Sequence, residues 1–245
     1  MKALCLFIVS FMLGWHGLFG EVKNGYEPEI KDVRASLKSL NELLTNDSNL
    51  SYFQRSEIKA SMDRMITFVS YFELTAELLT QFRTIAPDLY TTLDTLKDGT
   101  GRTVTVYVKF VSDAEMQHGA SGTTNIAHEE NDKNTYTSEY GPLTVSVKIA
   151  SVNKALTLLA HEFGHVKYQV PNLATYYVYY SAYYQNGTFR SSYIGHNTND
   201  ESGRQALAYE NAFREKYADF LRNAVEKMGS PFALLQEIRR KYLRA

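Results

Sequence analysis

The spacing of apolar residues changes period at the loop Lys97-Asp98-Gly99-Thr100-Gly101, and that change limits what the chain can fold into. Before the loop the period is helical. Val33, Leu37, Leu40 and Leu44 share one face, with Lys31, Lys38 and Glu42 between them. Asn46-Asp47-Ser48-Asn49 has turn chemistry and ends this helix. A longer helix is predicted from about Ser51 to Phe82, striped by Ile58, Met62, Met65, Val69, Phe72 and Leu79. Pro87 opens a short one to about Leu96. After the loop the period falls to two. Thr103–Val111 is rich in β-branched and aromatic residues and predicts a strand. Residues 112–141 read as a long polar loop holding a short strand near Thr124–Ala127. Leu143–Ile149 alternates cleanly, as a strand with one solvated face should.

Helical sequence resumes at Ser151 or Asn153 and runs to about Val170, where Pro171 stops it. Residues 172–185 read as helical and tyrosine-rich, and 187–203 as loop. A helix from Gln205 to Met228 and a last one from Pro231 to Leu243 complete the chain. Helices, then strands, then helices predict an α+β fold with a small antiparallel sheet, not alternating βαβ units.

Residues 1–20 have a different character. Met1-Lys2 is a basic start, Ala3–Leu13 is apolar apart from Ser10, and small residues precede Glu21. That layout predicts a cleaved secretory signal peptide, hence a secreted or periplasmic protein. Cys5, the single cysteine of the 245 residues, lies inside it. A disulfide framework and a cysteine-based zinc ribbon are thereby excluded, and any metal must be held by nitrogen and oxygen. The formal net charge of −1 argues against a nucleic-acid partner. The expected organisation is 1–20 signal peptide, 21–100 helical N-terminal region (scaffold or pro-segment) and 101–245 catalytic domain, with no stable membrane span after cleavage.

The chemistry concentrates in His161-Glu162-Phe163-Gly164-His165. Two histidines four apart on a helix lie on one face, so both imidazoles reach one zinc ion. Glu162 is turned about 100° from His161, poorly placed as a ligand but able to take a proton from water beside the metal. Leu143–Ile149 is where an edge strand for an extended substrate is expected. A third ligand from the same helix fails, because Tyr168 and Pro171 stand where the extended pattern needs glycine and histidine. A carboxylate from a second helix is the other solution. Glu215 and Asp219 are four apart, so Glu215 would bind the metal while Asp219 holds a ligating histidine. Glu210 is the competing ligand, but four residues on it has Arg214 instead of an acid.

These two motifs resemble those of the gluzincin zinc metallopeptidases, and Glu215-Lys-Tyr-Ala-Asp219 is similar to the arrangement in the CAAX prenyl protease and HtpX-like branch. The resemblance covers roughly residues 143–222. It implies a zincin-like catalytic domain, one Zn2+ held by His161, His165 and Glu215, Glu162 as general base, Asp219 behind the ligands, and a protein or peptide substrate. Lys167 departs from it, standing where such helices continue apolar. An oxyanion donor is also needed. His196 and Tyr180, the latter among the tyrosines at 176, 177, 179, 180, 183 and 184, are the candidates. His118 and His128, with Glu129 and Glu130, read as a solvated loop.

Overall fold

The computed structural model describes residues 21–116, 120–125, 127–128, 136–150, 154–172, 201–218, 236–240 and 242. The expected signal peptide lies outside them. Glu27–Asn46 (α1) and Tyr52–Ile85 (α2) form an antiparallel hairpin. Ser51 caps α2 through a reciprocal pair with Gln54, the capping box that Ser-x-x-Gln spells in sequence. Arg55 reaches back across the turn and donates to the carbonyls of Leu44 and Asp47, which the end of α1 leaves open, and to that of Leu50 in the turn itself. The inner face of the hairpin carries most of the predicted stripe, with Ile66 added to it and Leu79 turned into the main core instead. Leu37, Met62, Ile66 and Val69 are buried there, with Ile238 from the C-terminal residues. Pro87 starts the short helix Pro87–Asp94 (α3), where its missing N–H costs nothing.

Among the described residues the main sheet has four strands, in the order Val22–Asn24 (β1), Thr105–Phe110 (β2), Thr144–Ile149 (β7) and Gly122–Asn125 (β3). β1, β2 and β7 run parallel, and β3 is antiparallel to β7. The architecture is thus mixed α and β, as the pattern predicts, but the sheet is mixed and not antiparallel. Two parallel pairings, β1 with β2 and β2 with β7, make the difference, and alternation along a strand reports burial, not the direction in which its neighbour runs. β7 is also not an edge. It is paired on both sides, and the edge is β3, at the site of the short strand expected near Thr124. Nor is one face of β7 solvated: Thr144 and Ser146 are buried. A small second sheet, Ala127–His128 (β4), Tyr136–Ser138 (β5) and Gly141–Pro142 (β6), packs against β7. From the turn between β5 and β6, Glu139 pairs with Lys109 of β2 and Lys148 of β7 across that polar face.

The other face of the main sheet is apolar. Val106, Val108 and Phe110 of β2 and Val145, Val147 and Ile149 of β7 pack on α2 and on Ala155–Gln169 (α4). Phe82 of α2 meets Phe163 of α4 edge-on, with centroids 5.1 Å apart. It also stacks on Phe213 of Glu201–Lys216 (α5) at 5.1 Å. One core therefore crosses residue 100. The N-terminal region supplies an edge strand to the sheet and Phe82 to the aromatic triad beneath α4. Among the described residues no helix is long and apolar enough to cross a membrane.

Candidate metal centre

α4 carries His161, Glu162 and His165 into this core. Its run Leu159-Ala160-His161-Glu162-Phe163-Gly164 is buried without a break, so the helix is enclosed around its circumference. A buried histidine or carboxylate is tolerated only with partners, and those partners come from two distant segments.

α5 supplies the first. Its buried positions Ser202, Gly203, Ala206 and Phe213 define one face, and that face lies on α4. The approach is close because both surfaces are small. A Cβ at Gly164 would meet the Ala206 Cα at 2.7 Å. At this separation short side chains of α5 reach the histidines. Glu210 Oε2 lies 2.9 Å from His161 Nδ1, and Ser202 Oγ lies 2.9 Å from His165 Nδ1. Glu210 Oε1 accepts from Arg214 Nε at 2.8 Å, and Gln169 Nε2 donates to Ser202 Oγ at 2.7 Å. The two imidazoles sit with centroids 4.9 Å apart.

β3 supplies the second. Thr124 Oγ1 donates to Glu162 Oε2 at 2.6 Å. A Cβ at Gly122 would stand 2.6 Å from Glu162 Oε1, so glycine is needed for the carboxyl to lie against the strand. Both residues are on the face of β3 that looks to α4, the strand period being two. Glu162 is 4% exposed. Burial pushes its pKa up to about 7; the Thr124 hydrogen bond opposes this and the charge of Glu210 adds to it.

The structure places the other predicted residues as follows. Glu210, the competing carboxylate, is the one brought to His161. Glu215 is exposed, and it forms no group with the histidines that could hold a metal. Helix geometry explains this. Five residues separate the two acids, about 140° of rotation, and Glu215 stands about 180° from Ala206 at the centre of the buried face. The small residues Ser202, Gly203 and Ala206 were the sequence signal for that face. Lys167 is exposed at the end of α4, its Nζ 5.4 Å from the centre of the Tyr209 ring. Asp219, His196, Tyr180 and the neighbouring tyrosines, His118, Glu129 and Glu130 lie outside the described residues, as does the His128 side chain.

The donor set bears on whether a metal fits. Imidazoles that bind zinc through Nε2 need Nδ1–H held by an oxygen. Both histidines have an oxygen at Nδ1, from two positions of one helix. The residues present fit the two-histidine part of a zinc site. Among the described residues no third His, Cys, Asp or Glu completes a group of three. Comparison with family models, curated proteins and solved structures finds no match to the chain.

Proposed function

We propose that this chain is a secreted zinc-dependent endopeptidase with a zincin-like catalytic domain. The observation that carries the reading is the convergence on α4. Two imidazoles are pinned at Nδ1 by α5, and a buried carboxyl beside them is held by the edge strand β3. His161 and His165 would hold the ion through Nε2. Zinc bound there would supply a water that ionises near neutral pH and would polarise a substrate carbonyl.

The chain's own contribution follows from its geometry. Burial raises the proton affinity of the Glu162 carboxyl, which favours its taking a proton from water. Glu162 takes a proton from the attacking water and passes it to the leaving amine nitrogen. Thr124 and Gly122 fix where that carboxyl lies. Among the described residues β3 pairs with β7 alone, and its other edge would offer backbone groups to an extended peptide. The base and the docking edge are thus parts of one strand–helix contact.

Glu162→Gln tests the reading with a fluorogenic unfolded protein as substrate. The variant should keep its zinc and lose hydrolysis by about 10²–10⁴-fold. Unchanged hydrolysis would remove Glu162 as the base. Zinc binding with no hydrolysis by the unmodified protein would favour a catalytically inactive binding module.

A further inference from the structure

Glu210 and Ser202 occupy equivalent places with unlike chemistry. Each lies on the buried face of α5, each meets the Nδ1 of one histidine at 2.9 Å, and each is held by a second group. Arg214 donates to the Glu210 oxygen that faces away from His161, from Nε at 2.8 Å and Nη2 at 2.7 Å. Gln169, one turn beyond His165 on α4, donates to Ser202. Glu210 is a carboxylate and Ser202 a neutral hydroxyl. Both fix a ring orientation, and Glu210, which can only accept, also fixes the Nδ1–H tautomer of His161. Only Glu210 brings a negative charge, which makes the opposite ring nitrogen of His161 a stronger electron-pair donor to a cation.

We infer that Glu210 and Ser202 are positioning residues that set the zinc affinity of the α4 histidines, with Glu210 the stronger of the two. Glu215, on the far face of α5, has no part in that affinity. The inference rests on the zinc reading above. It assigns Glu210 a role that the spacing of acids in the sequence does not suggest. It also explains why Arg214, not an acid, stands four residues later: it orients the carboxylate and offsets its burial cost beside Glu162.

The test uses zinc alone as ligand. The full chain is stripped of metal, and its affinity is measured by competition against a chromophoric chelator at constant pH, with folding checked by circular dichroism. Glu210→Gln keeps the shape and an acceptor but removes the charge, and should weaken zinc binding about 10–100-fold. Ser202→Ala should weaken it less, by under about tenfold, and Glu215→Gln should leave it unchanged. Wild-type affinity in both Glu210→Gln and Ser202→Ala would overturn the inference while leaving the zinc reading intact. Loss in Glu215→Gln equal to that in Glu210→Gln would also overturn it. A wild-type chain that binds no zinc would overturn the zinc reading, and the inference with it. Should Glu210→Gln misfold, Arg214→Met, which leaves the carboxylate but frees its outer oxygen, should still weaken zinc binding; wild-type affinity there would overturn the inference.

Discussion

The core between the hairpin helices is built from Leu, Ile, Val and Met, whereas the core beneath α4 adds Phe82, Phe163 and Phe213, and the two differ further in what else they enclose. In the hairpin, Leu37, Met62, Ile66 and Val69 meet with aliphatic neighbours, and the buried Ser70 returns its hydroxyl to the carbonyl of Ile66 on its own helix. Beneath α4 the enclosed groups include His161, Glu162, Gln169 and Ser202. Their partners lie 33 to 49 residues away in sequence. A core of the first kind needs volume and periodicity. A core of the second kind also needs each polar atom matched, so its geometry is more tightly specified and more easily lost.

That contrast orders the substitutions. Phe82→Ala removes the ring that joins α2 to α4 and α5 and should cost about 3–5 kcal/mol in urea unfolding. Because Phe163 lies between the two histidines, zinc binding should weaken as well. Met62→Ala in the hairpin core should cost about 2–5 kcal/mol but leave zinc affinity within about twofold. If Met62→Ala weakened zinc binding as Phe82→Ala does, the two cores would be one cooperative unit and the contrast would fail. Gly164→Ala forces a Cβ against the α5 backbone and should cost about 1–3 kcal/mol while lowering zinc affinity, since it widens the gap that Glu210 and Ser202 span.

Smaller effects sharpen the same contrast. Asp98, buried beside the main core, accepts from Thr100 and Arg102. Burial alone would raise its pKa, but these hydrogen bonds together hold it below the usual carboxylate value. A group with a lowered folded pKa stabilises the protein at neutral pH. That contribution fades as pH falls through the ordinary carboxylate range toward the folded value. Asp98→Asn should therefore cost about 1–3 kcal/mol at pH 7 and flatten the acid limb of a stability–pH profile. Tyr52→Ser, at a residue 90% exposed at the hairpin turn, should change stability by less than about 0.5 kcal/mol.

The same difference explains what could be read in the sequence. α1, α2, β2, β7 and α4 stand where periodicity puts them, because each buries one stripe or face and the pattern reports burial directly. β1 has three residues and no pattern, and the parallel sense of β1, β2 and β7 depends on pairings more than 35 residues apart. β7 showed alternation, but alternation does not reveal that Glu139 and the second sheet cover its polar side. At the site, His161, Glu162 and His165 were legible because one helix turn brings them together. The choice between Glu210 and Glu215 depends on which face of α5 meets α4. Acid spacing says nothing of that, whereas the small buried residues Ser202, Gly203 and Ala206, the last of them against Gly164, do.

We propose that α4 holds a zinc ion through His161 and His165. The most direct measurement is the metal content of the purified chain after dialysis against trace zinc, beside the double variant His161→Ala/His165→Ala. One zinc per chain is expected in the wild type and none in the variant. A metal-free wild type, or a variant that keeps its zinc, would contradict it.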